Sequence, residues 1–421
     1  MKKSVLFLLM LIGASFHAQT KLDYYIGKAL ENDATLNQLK NQIPITKLQN
    51  ELDKAQNSAF QISLTGDYLF APFFNNSNGL VTTTPDPKAI GYDVGITNGG
   101  LYSAQVNVQR NLFNGNLIDA LKSKNELADK NILNEIKLEE HNLRKVLTDQ
   151  YLACLQNLSL YDLAKEQSEN LQTQVAMTGR LVEQGFVKAQ DFLLLKIELK
   201  NQQSTVTETW RNYKSGLMQL NSLCGLQDTG SVLLESVNLE VTTQVAQSHF
   251  STKYSLDSLA LQNQQELFET AYQPKVNLFF NTGLNAVELN NLQRKFGLSA
   301  GVNFSLPLFD GNQKDITRQQ NDIYGKTIRQ NRNYFEKNLF LQRQNGLEKI
   351  NSLKTTLSNL QDQIKDYDQV IILAKTEVAQ GSQTMIEYLT LLKNYLELKK
   401  NKIATEINYQ LEINNYNYWN W

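Results

Sequence analysis

The chain has 421 residues and a formal net charge of −1, with 41 Lys and Arg against 42 Asp and Glu. This balance argues against a nucleic-acid-binding protein, which needs a basic surface. With three His, two Cys and scattered Gly, there is no metal-binding cluster and no phosphate-binding loop. We therefore expect no enzyme activity, no metal site and no cofactor.

Residues 1–18 have the three parts of a secretory signal peptide. Lys2 and Lys3 supply the positive charge, an apolar run extends over 5–12, and Ala18 is a small residue at the expected cleavage site. The apolar run is too short to span a bilayer, which takes ~20 residues. We therefore expect an exported protein that is cleaved near Ala18.

Residues 19–230 are predicted to form a first structural repeat that combines helices with a β-hairpin. The strands, near 61–70 and 102–109, alternate apolar side chains with polar ones that are mostly Asn, Gln, Ser and Thr. Each has the ~10 residues that a tilted membrane strand needs. Pro44 is expected to kink the first helix. The predicted elements are a helix over about 22–59, a β-hairpin over about 61–113, a long helix over 116–182 and a helix over 187–223.

A linker over 231–250 leads to a second structural repeat over 251–421, in which the same elements are expected in the same order. From Ile350 to Val378 the apolar residues are spaced alternately three and four apart, a heptad pattern that is typical of a coiled coil. After an opening helix, the predicted elements are a β-hairpin over about 275–309, a long helix over 312–379 and a helix over 384–418.

The two repeats share short motifs at a constant offset of 196 residues. Leu112-Phe113-Asn114-Gly115 recurs as Leu308-Phe309-Asp310-Gly311, and Gln184-Gly185 recurs as Gln380-Gly381. A single shift that fits several motifs indicates an internal duplication. Where a strand passes into a long helix, Asn and Asp favour a helix N-cap and Gly favours a sharp change of direction. The residues expected in these strand-to-helix turns are Asn114, Gly115, Pro307, Asp310 and Gly311.

Four membrane strands in one chain predict an assembly of several copies. An unpaired backbone group in lipid costs several kcal/mol, and the smallest barrels have about eight strands. Two copies would give eight strands and a filled interior, whereas three would give twelve strands with room for water and solute. The helices would then continue the ring as an α-helical tube. We therefore expect a cyclic homo-oligomer.

Side chains that are suited to catalysis are few and widely separated. His141 and His249 are too far apart in the sequence to suggest a site, and each is expected to be a packed or surface residue. Cys154 and Cys224 lie at unequal distances from the helix turn at Gly185, with a mismatch of roughly 12 Å along the helices. A disulfide allows only ~7 Å between Cα atoms. We therefore expect two unpaired, packed thiols.

Together these features resemble the outer-membrane efflux protein family, the TolC-like channels. The resemblance rests on the signal peptide, the duplicated unit, the segment Pro307 to Gly311 before a long helix, and a Gly followed six residues later by an acid in each repeat. It implies a homotrimer with a 12-stranded β-barrel in the bacterial outer membrane, continued by a periplasmic α-helical barrel. It also implies that the channel contacts a periplasmic adaptor protein and an inner-membrane pump, from which it passively conducts substrates to the exterior.

The resemblance also implies the position of the pore mouth, at the tips of the helices. Acidic residues there form the aperture. They correspond to Glu387 and Asp191, while a second acid of better-known members is replaced by Thr390. The tyrosine and arginine that hold some relatives closed are replaced by Val378 and Gln383, so that clamp is absent. The residues expected to dock the adaptor are Gln184, Gly185, Phe186, Val187, Gln380, Gly381 and Ser382.

Two other functions remain open from the sequence. A type I protein secretion channel would have the same architecture as an efflux channel, and the sequence does not reveal the cargo. A structural trimeric coiled-coil surface protein would explain the heptads but gives no reason for strands with an apolar face. A periplasmic adaptor fits less well, because it would need one helical hairpin and no duplication.

Overall fold

A computed structural model describes residues 21–74, 81–82, 87–92, 100–287 and 291–421. The expected signal peptide lies outside these residues. The elements are α1 (Leu22–Asn32), α2 (Ala34–Ser58), β1 (Gln61–Phe70), β2 (Phe73–Phe74), β3 (Val81–Thr82), β4 (Gly100–Leu112), α3 (Gly115–Glu183), α4 (Ala189–Leu223), α5 (Thr252–Thr270), β5 (Lys275–Ala286), β6 (Phe296–Ser305), α6 (Gln313–Ala379) and α7 (Met385–Trp419).

The chain divides into two compact units. The sheet unit comprises Asn41–Ile132 and Tyr254–Gln330, and the tip unit comprises Leu133–Lys253, Asn331–Trp421 and the chain up to Lys40. Each unit contains segments from both predicted repeats. The division into two structural repeats therefore describes the order of elements along the chain, while each compact unit draws on both halves.

The four long strands form one antiparallel sheet in the order β1-β4-β5-β6. Val108 of β4 lies opposite Ile62 on one side and Phe280 on the other. Residues directly opposite each other in an antiparallel sheet share a face. The apolar positions of all four strands therefore lie on one side of the sheet, as their alternation predicts. Among the described residues, β1 pairs only with β4 and β6 only with β5.

The two faces of this sheet differ in chemistry. The apolar face is largely exposed, with Leu64 at 79% and Leu298 at 74% of full exposure. The opposite face carries mainly Asn, Gln, Ser, Thr and Gly, and the charged side chains on its described strands are Asp67 and Lys275. The Ser103 hydroxyl donates to Asp67 Oδ2 at 2.9 Å. One face therefore suits an apolar surrounding, and the other suits water.

The helices beside the sheet follow the order of the strands. Within the sheet unit, Asn125 of α3 donates to Asp53 Oδ2 of α2 at 2.7 Å. Asn263 of α5 donates to the Ala120 carbonyl of α3 at 3.0 Å. Arg318 of α6 then binds the Glu269 carboxylate of α5 at 2.8 Å. The order of helices is therefore α2-α3-α5-α6, and polar side chains join each neighbouring pair.

The heptad pattern of α6 is confirmed by burial. Every a and d position from Ile350 to Val378 is buried or half-buried, and most positions between them are exposed. In the tip unit, Ala374 belongs to a buried cluster that also includes Leu171 of α3 and Tyr388 of α7. The heptad residues thus give an otherwise polar helix of 67 residues an apolar side, through which it joins a shared core.

The first helix is not continuous, and the prediction of one helix over about 22–59 was wrong. The backbone becomes extended at Asp33, between α1 and α2. The Asp33 carboxylate accepts a hydrogen bond from the Leu36 N–H at 2.7 Å, which makes Asp33 the cap of a new helix. Pro44 lies inside α2. The Asp33 side chain, which caps α2, therefore determines where the first helix is interrupted.

The strand-to-helix turns of the two repeats differ. Gly311 has a φ of +67°, and the Asp310 carboxylate accepts the Lys314 N–H at 2.8 Å from two residues before the N-cap position of α6. In the first repeat Phe113 takes the positive φ, of +56°, and Gly115 is already the first residue of α3. The expectation of a sharp turn at Gly115 was therefore wrong. The Asn114 side chain donates to the Asn57 carbonyl, which ties the start of α3 to the end of α2.

The predicted linker, 231–250, is held to α7 by a ladder of amide side chains. The Asn417 amide accepts the Thr242 N–H at 2.9 Å and donates to the Glu240 carbonyl at 2.8 Å. Asn420 accepts the Val245 N–H at 3.1 Å in the same way. These side-chain amides supply the hydrogen bonds that the backbone of a neighbouring strand would otherwise make to the linker. The linker therefore has ordered backbone contacts although most of it is neither helix nor strand.

The cysteines and histidines are packed residues. Cys154 and Cys224 are free and buried, as expected, and burial raises the pKa of each thiol to about 12. His141 stacks on Trp421 at 4.1 Å between ring centroids, and His249 lies 4.8 Å from the same ring. Burial lowers the pKa of His141. The two histidines are thus close in space, which their sequence separation did not predict.

Candidate functional site

The two long helices end in the same way. Gly185 follows α3 with a φ of +77°, and Gly381 follows α6 with a φ of +73°. The Phe186 N–H donates to the Leu181 carbonyl at 2.8 Å. At an offset of 196 residues, the Ser382 N–H donates to the Glu377 carbonyl at 3.0 Å. Both ends are Schellman motifs, in which a left-handed Gly reverses the chain. The Gln-Gly motif therefore recurs because each long helix ends in a Schellman motif, which needs a Gly in the left-handed conformation.

The residues expected to dock the adaptor lie on these turns. Phe186 is 78% exposed, which is unusual for a large aromatic side chain. Val187 is only half-buried and lines a crevice between the two helical hairpins. The other five residues of the predicted surface are exposed; they are Gln184, Gly185, Gln380, Gly381 and Ser382. The set is thus accessible on this chain, while its role as a docking surface stays a prediction.

The two helical hairpins pack against each other near their tips. The Tyr388 hydroxyl of α7 donates to Gln174 Oε1 of α3 at 3.1 Å, beside the buried Leu195 and Met385. The crevice there has a volume of about 450 Å³ and also includes Val378. Val378, at one of the expected clamp positions, therefore packs against apolar neighbours.

Glu387, the principal residue of the expected aperture, lies in the first turn of α7 and is exposed. Its carboxylate accepts the Thr384 N–H at 2.9 Å and the Thr384 hydroxyl at 2.8 Å. The Glu387 N–H donates back to the Thr384 hydroxyl oxygen at 3.3 Å. This reciprocal pair is a capping box. The hydrogen bonds from the Thr384 N–H and hydroxyl lower the pKa of Glu387, so its negative charge is favoured.

The equivalent position in the first repeat is built differently. Asp191 is half-buried in the first turn of α4, and the N-cap residue is Lys188, whose side chain makes no capping hydrogen bond. Thr390 is exposed, and its hydroxyl donates to the Ile386 carbonyl at 2.8 Å. A ring of acids at one level requires several copies of the chain. The assignment of Glu387, Asp191 and Thr390 to a pore aperture therefore stays a prediction.

The sequence reasoning missed Thr384, although a signal for it was present. Thr384-Met385-Ile386-Glu387 fits the pattern of Ser or Thr followed three residues later by Glu, which marks a capping box. Within the described residues no group of His, Cys, Asp and Glu could hold a metal ion. Among the described helices, none is both long enough and apolar enough to cross a membrane.

The fold is similar to that of solved outer-membrane channels. CusC, a protein that forms a transmembrane channel, has a TM-score of 0.72 and 14% identity over 94% of this chain and 91% of its own. VceC of Vibrio cholerae has a TM-score of 0.70 and 12% identity over 95% and 96% of the two chains. The CmeC outer-membrane channel of Campylobacter jejuni has a TM-score of 0.70 and 13% identity over 95% and 85%.

No protein-family model matches the sequence, and no curated protein matches it. The structural likeness nevertheless extends over nearly the whole chain. The chain therefore has the fold of these TolC-like channels, with long helices and a β portion, as the sequence predicted. The expected twelve-stranded barrel goes beyond a single chain, in whose described residues the main sheet has four strands and does not close.

Proposed function

We propose that this protein is an outer-membrane channel that passively conducts substrates out of the cell as part of a tripartite efflux system. The observation that carries the proposal is the open four-stranded sheet of the described residues, which exposes an apolar face on one side and a polar, mainly uncharged face on the other. Lipid suits the first face and a water-filled lumen suits the second. Such a channel works by shape and electrostatics rather than by catalysis.

The unpaired edges favour a homotrimer. In lipid the backbone groups of β1 and β6 would each lack a partner, at several kcal/mol per group. Pairing of β6 in one copy with β1 in the next satisfies both edges, and three copies give a closed ring of twelve strands that leaves room for solute. Strands of 10 to 13 residues are long enough to cross the outer membrane when tilted.

The proposed partners follow from two exposed surfaces of the chain, the apolar face of the sheet and the helix turns around Phe186. The sheet lies in the outer membrane, and the long helices extend into the periplasm as an α-helical barrel. The exposed tip around Phe186 then faces a periplasmic adaptor, which connects the duct to an inner-membrane pump that supplies energy. This protein therefore needs no cofactor and no catalytic residue of its own.

The proposal is tested by purification from outer membranes in detergent, followed by electrophoresis and recordings in planar bilayers. We expect an oligomer that resists detergent and dissociates on heating, together with discrete single-channel steps. A monomer that needs no detergent, or an oligomer that never conducts, would rule the channel out. An oligomer that never conducts is the result expected of a structural coiled-coil protein. A type I secretion role would instead be supported by a secreted protein that fails to leave the cell when the gene is deleted.

A matched pair of variants tests the assignment of the two faces. Val302→Arg places a charge on the apolar face of β6, which should cost about 2–4 kcal/mol near the bilayer centre. Asn303→Arg places the same charge one residue further on, on the polar face. We expect Val302→Arg to prevent membrane assembly and Asn303→Arg to assemble normally, as measured by the heat-dissociable oligomer. Equal assembly of both variants would contradict the assignment.

A further inference from the structure

One arginine interrupts the apolar face of the sheet. Arg110 of β4 lies opposite Leu278 of β5, which in turn lies opposite Val302 of β6. Residues that lie opposite each other in an antiparallel sheet share a face, so Arg110 belongs to the apolar face. Among the described residues of the four long strands, it is the only charged residue on that face. A charge in such a place needs a counter-charge or water.

Arg110 lies at the margin of the apolar face, near the end of β4 that leads into α3. Towards the other end of the face lie Tyr68 and Tyr102, whose ring centroids are 5.4 Å apart. From Tyr102 to Arg110 is about 27 Å along the strand, or roughly 20 Å across a membrane at the usual strand tilt. The apolar band of membrane strands is ~25 Å high. Val302 lies deeper inside its strand than Arg110 does. In the proposed channel, Arg110 is therefore where the lipid headgroups begin.

The guanidinium group of Arg110 is oriented by a ring but not neutralised. Its Cζ lies 4.9 Å from the ring centroid of Phe60, the residue before β1. The side chain is half-buried, and its Nε has no hydrogen-bond partner among the described residues. No carboxylate in this part of the chain forms an ion pair with it. The cation–π contact fixes the planar group and leaves its positive charge available to another molecule.

We propose that Arg110 binds the phosphate group of a membrane phospholipid whose acyl chains lie along the apolar face of the sheet. The site rests on the proposed channel, because lipid must surround the sheet. A guanidinium group presents paired N–H donors that match two phosphate oxygens, and such charge-assisted pairs are stronger than neutral hydrogen bonds. Beyond Arg110 the face continues with Val108 and Phe280, which lie opposite each other and offer the acyl chains an apolar surface.

A phospholipid matches this surface better than a free anion does. A free anion would neutralise Arg110 but would leave the apolar neighbours uncovered; Leu278 and Phe280 are 37% and 39% exposed. Covering such side chains is favourable in proportion to the apolar area that leaves water. A phospholipid carries the anionic group and the apolar chains in one molecule. Because the phosphate is common to phospholipids with different headgroups, the site should accept zwitterionic and anionic phospholipids alike.

The test compares two lipids that differ in the phosphate-containing headgroup. Intact oligomers in a detergent without phosphate are titrated with a short-chain phosphatidylglycerol or with the diacylglycerol of the same chains, and bound lipid is counted by native mass spectrometry. We expect up to one tightly bound phosphatidylglycerol for each chain. Diacylglycerol should bind about tenfold more weakly, because it lacks the charged hydrogen-bond acceptor. Phosphatidylethanolamine of the same chain length should bind as phosphatidylglycerol does, and inorganic phosphate alone should not bind measurably.

A matched pair of variants assigns the binding to Arg110. Arg110→Gln removes the positive charge from the apolar face and should weaken the binding of phosphatidylglycerol about tenfold. Lys275→Gln removes the same charge near the same end of the sheet, but on the polar face, and should leave the binding unchanged. Arg110→Lys keeps the charge and loses the paired donors, so its affinity should lie between those of Arg110→Gln and the unmodified protein.

Equal binding of phosphatidylglycerol and diacylglycerol to the unmodified oligomer would overturn the proposal, even if Arg110→Gln failed to assemble. Equal losses in Arg110→Gln and Lys275→Gln would overturn it as well. Inorganic phosphate that bound as tightly as phosphatidylglycerol would show a free-anion site instead of a lipid site. Any of these results in an oligomer that conducts would overturn the lipid site alone. Failure of the unmodified protein to enter membranes would overturn the channel and the lipid site together.

Discussion

Glu387 combines two roles that the structure allows to be separated. Its carboxylate closes a capping box with Thr384, and the same carboxylate supplies the negative charge proposed for the pore mouth. A capping box accepts Gln as well as Glu at this position. The charge can therefore be removed while the cap is kept, and the cap can be weakened while the charge is kept. Lys188 and Asp191 offer no such arrangement in the first repeat.

Glu387→Gln should reduce the preference of the channel for cations, because it removes a carboxylate from each copy at the mouth. The measurement is the reversal potential in a salt gradient across a planar bilayer. Thr384→Ala is the control: it should keep the selectivity and lower the stability of the tip by about 1 kcal/mol. Unchanged selectivity in Glu387→Gln would remove this residue from the aperture.

The pH dependence of selectivity follows from the lowered pKa of Glu387. The Thr384 N–H and hydroxyl favour the ionised carboxylate, so the charge persists below the ordinary pKa and is lost only as the pH falls through the lowered value. Thr384→Ala removes the hydroxyl and should move this loss to a higher pH. Reversal potentials recorded from neutral to acidic pH check the shift, and superimposable profiles would contradict it.

Among the elements, the linker and α7 depend on each other through side-chain amides. Asn417 and Asn420 bind successive stretches of the linker backbone between Glu240 and Val245. Asn420 is 2% exposed, so its bonds cannot be replaced by water. A segment with little regular secondary structure is thereby fixed along a helix, and the aromatic rings of Tyr418 and Trp421 pack over His141 at the same place.

Asn420→Ala should destabilise the tip unit by about 1–3 kcal/mol, because the N–H of the half-buried Val245 loses its acceptor. Thermal or denaturant unfolding in detergent measures the change. Asn415→Ala is the matched control: it lies on the same helix, is only half-buried, and has no part in the amide ladder. Similar losses in the two variants would show that the ladder contributes little to stability.

The regular elements were predictable from the sequence because their signals are local and periodic. Strand β1 begins and ends at the predicted residues 61 and 70, and α6 begins one residue later than predicted and ends at 379. The break at Asp33 was missed because a single carboxylate that caps a helix has a weaker signal than the apolar pattern around it. The meeting of His141 with His249 was not predictable, since it depends on how α7 carries Trp421 to both residues.

At the scale of the whole molecule, the two ends of the proposed channel face different partners. In the proposed channel the apolar face of the sheet would contact lipid, whereas the exposed Phe186 on the turn after α3 would contact a periplasmic partner. The site residues there were placed by family resemblance, and the structure shows their accessibility and their Schellman turns.

Phe186→Asp should prevent binding of the adaptor and leave the oligomer and its conductance intact, because the side chain is exposed on the turn after α3 and is not part of the sheet. The measurement is co-purification with the adaptor encoded beside the channel gene, together with conductance in bilayers. Gln203→Asp, at an exposed position within α4, is the control and should retain the adaptor. Adaptor binding that survives Phe186→Asp would exclude this residue from the docking surface.

The open edges of the sheet also carry a genetic consequence. In the proposed trimer no copy completes the barrel wall alone, so an allele that damages one edge should harm its wild-type neighbours when both are expressed in the same cell. With free mixing in equal amounts, only about one in eight assemblies of three chains would consist entirely of wild-type subunits. Such alleles should therefore behave as dominant, whereas alleles that abolish synthesis should be recessive.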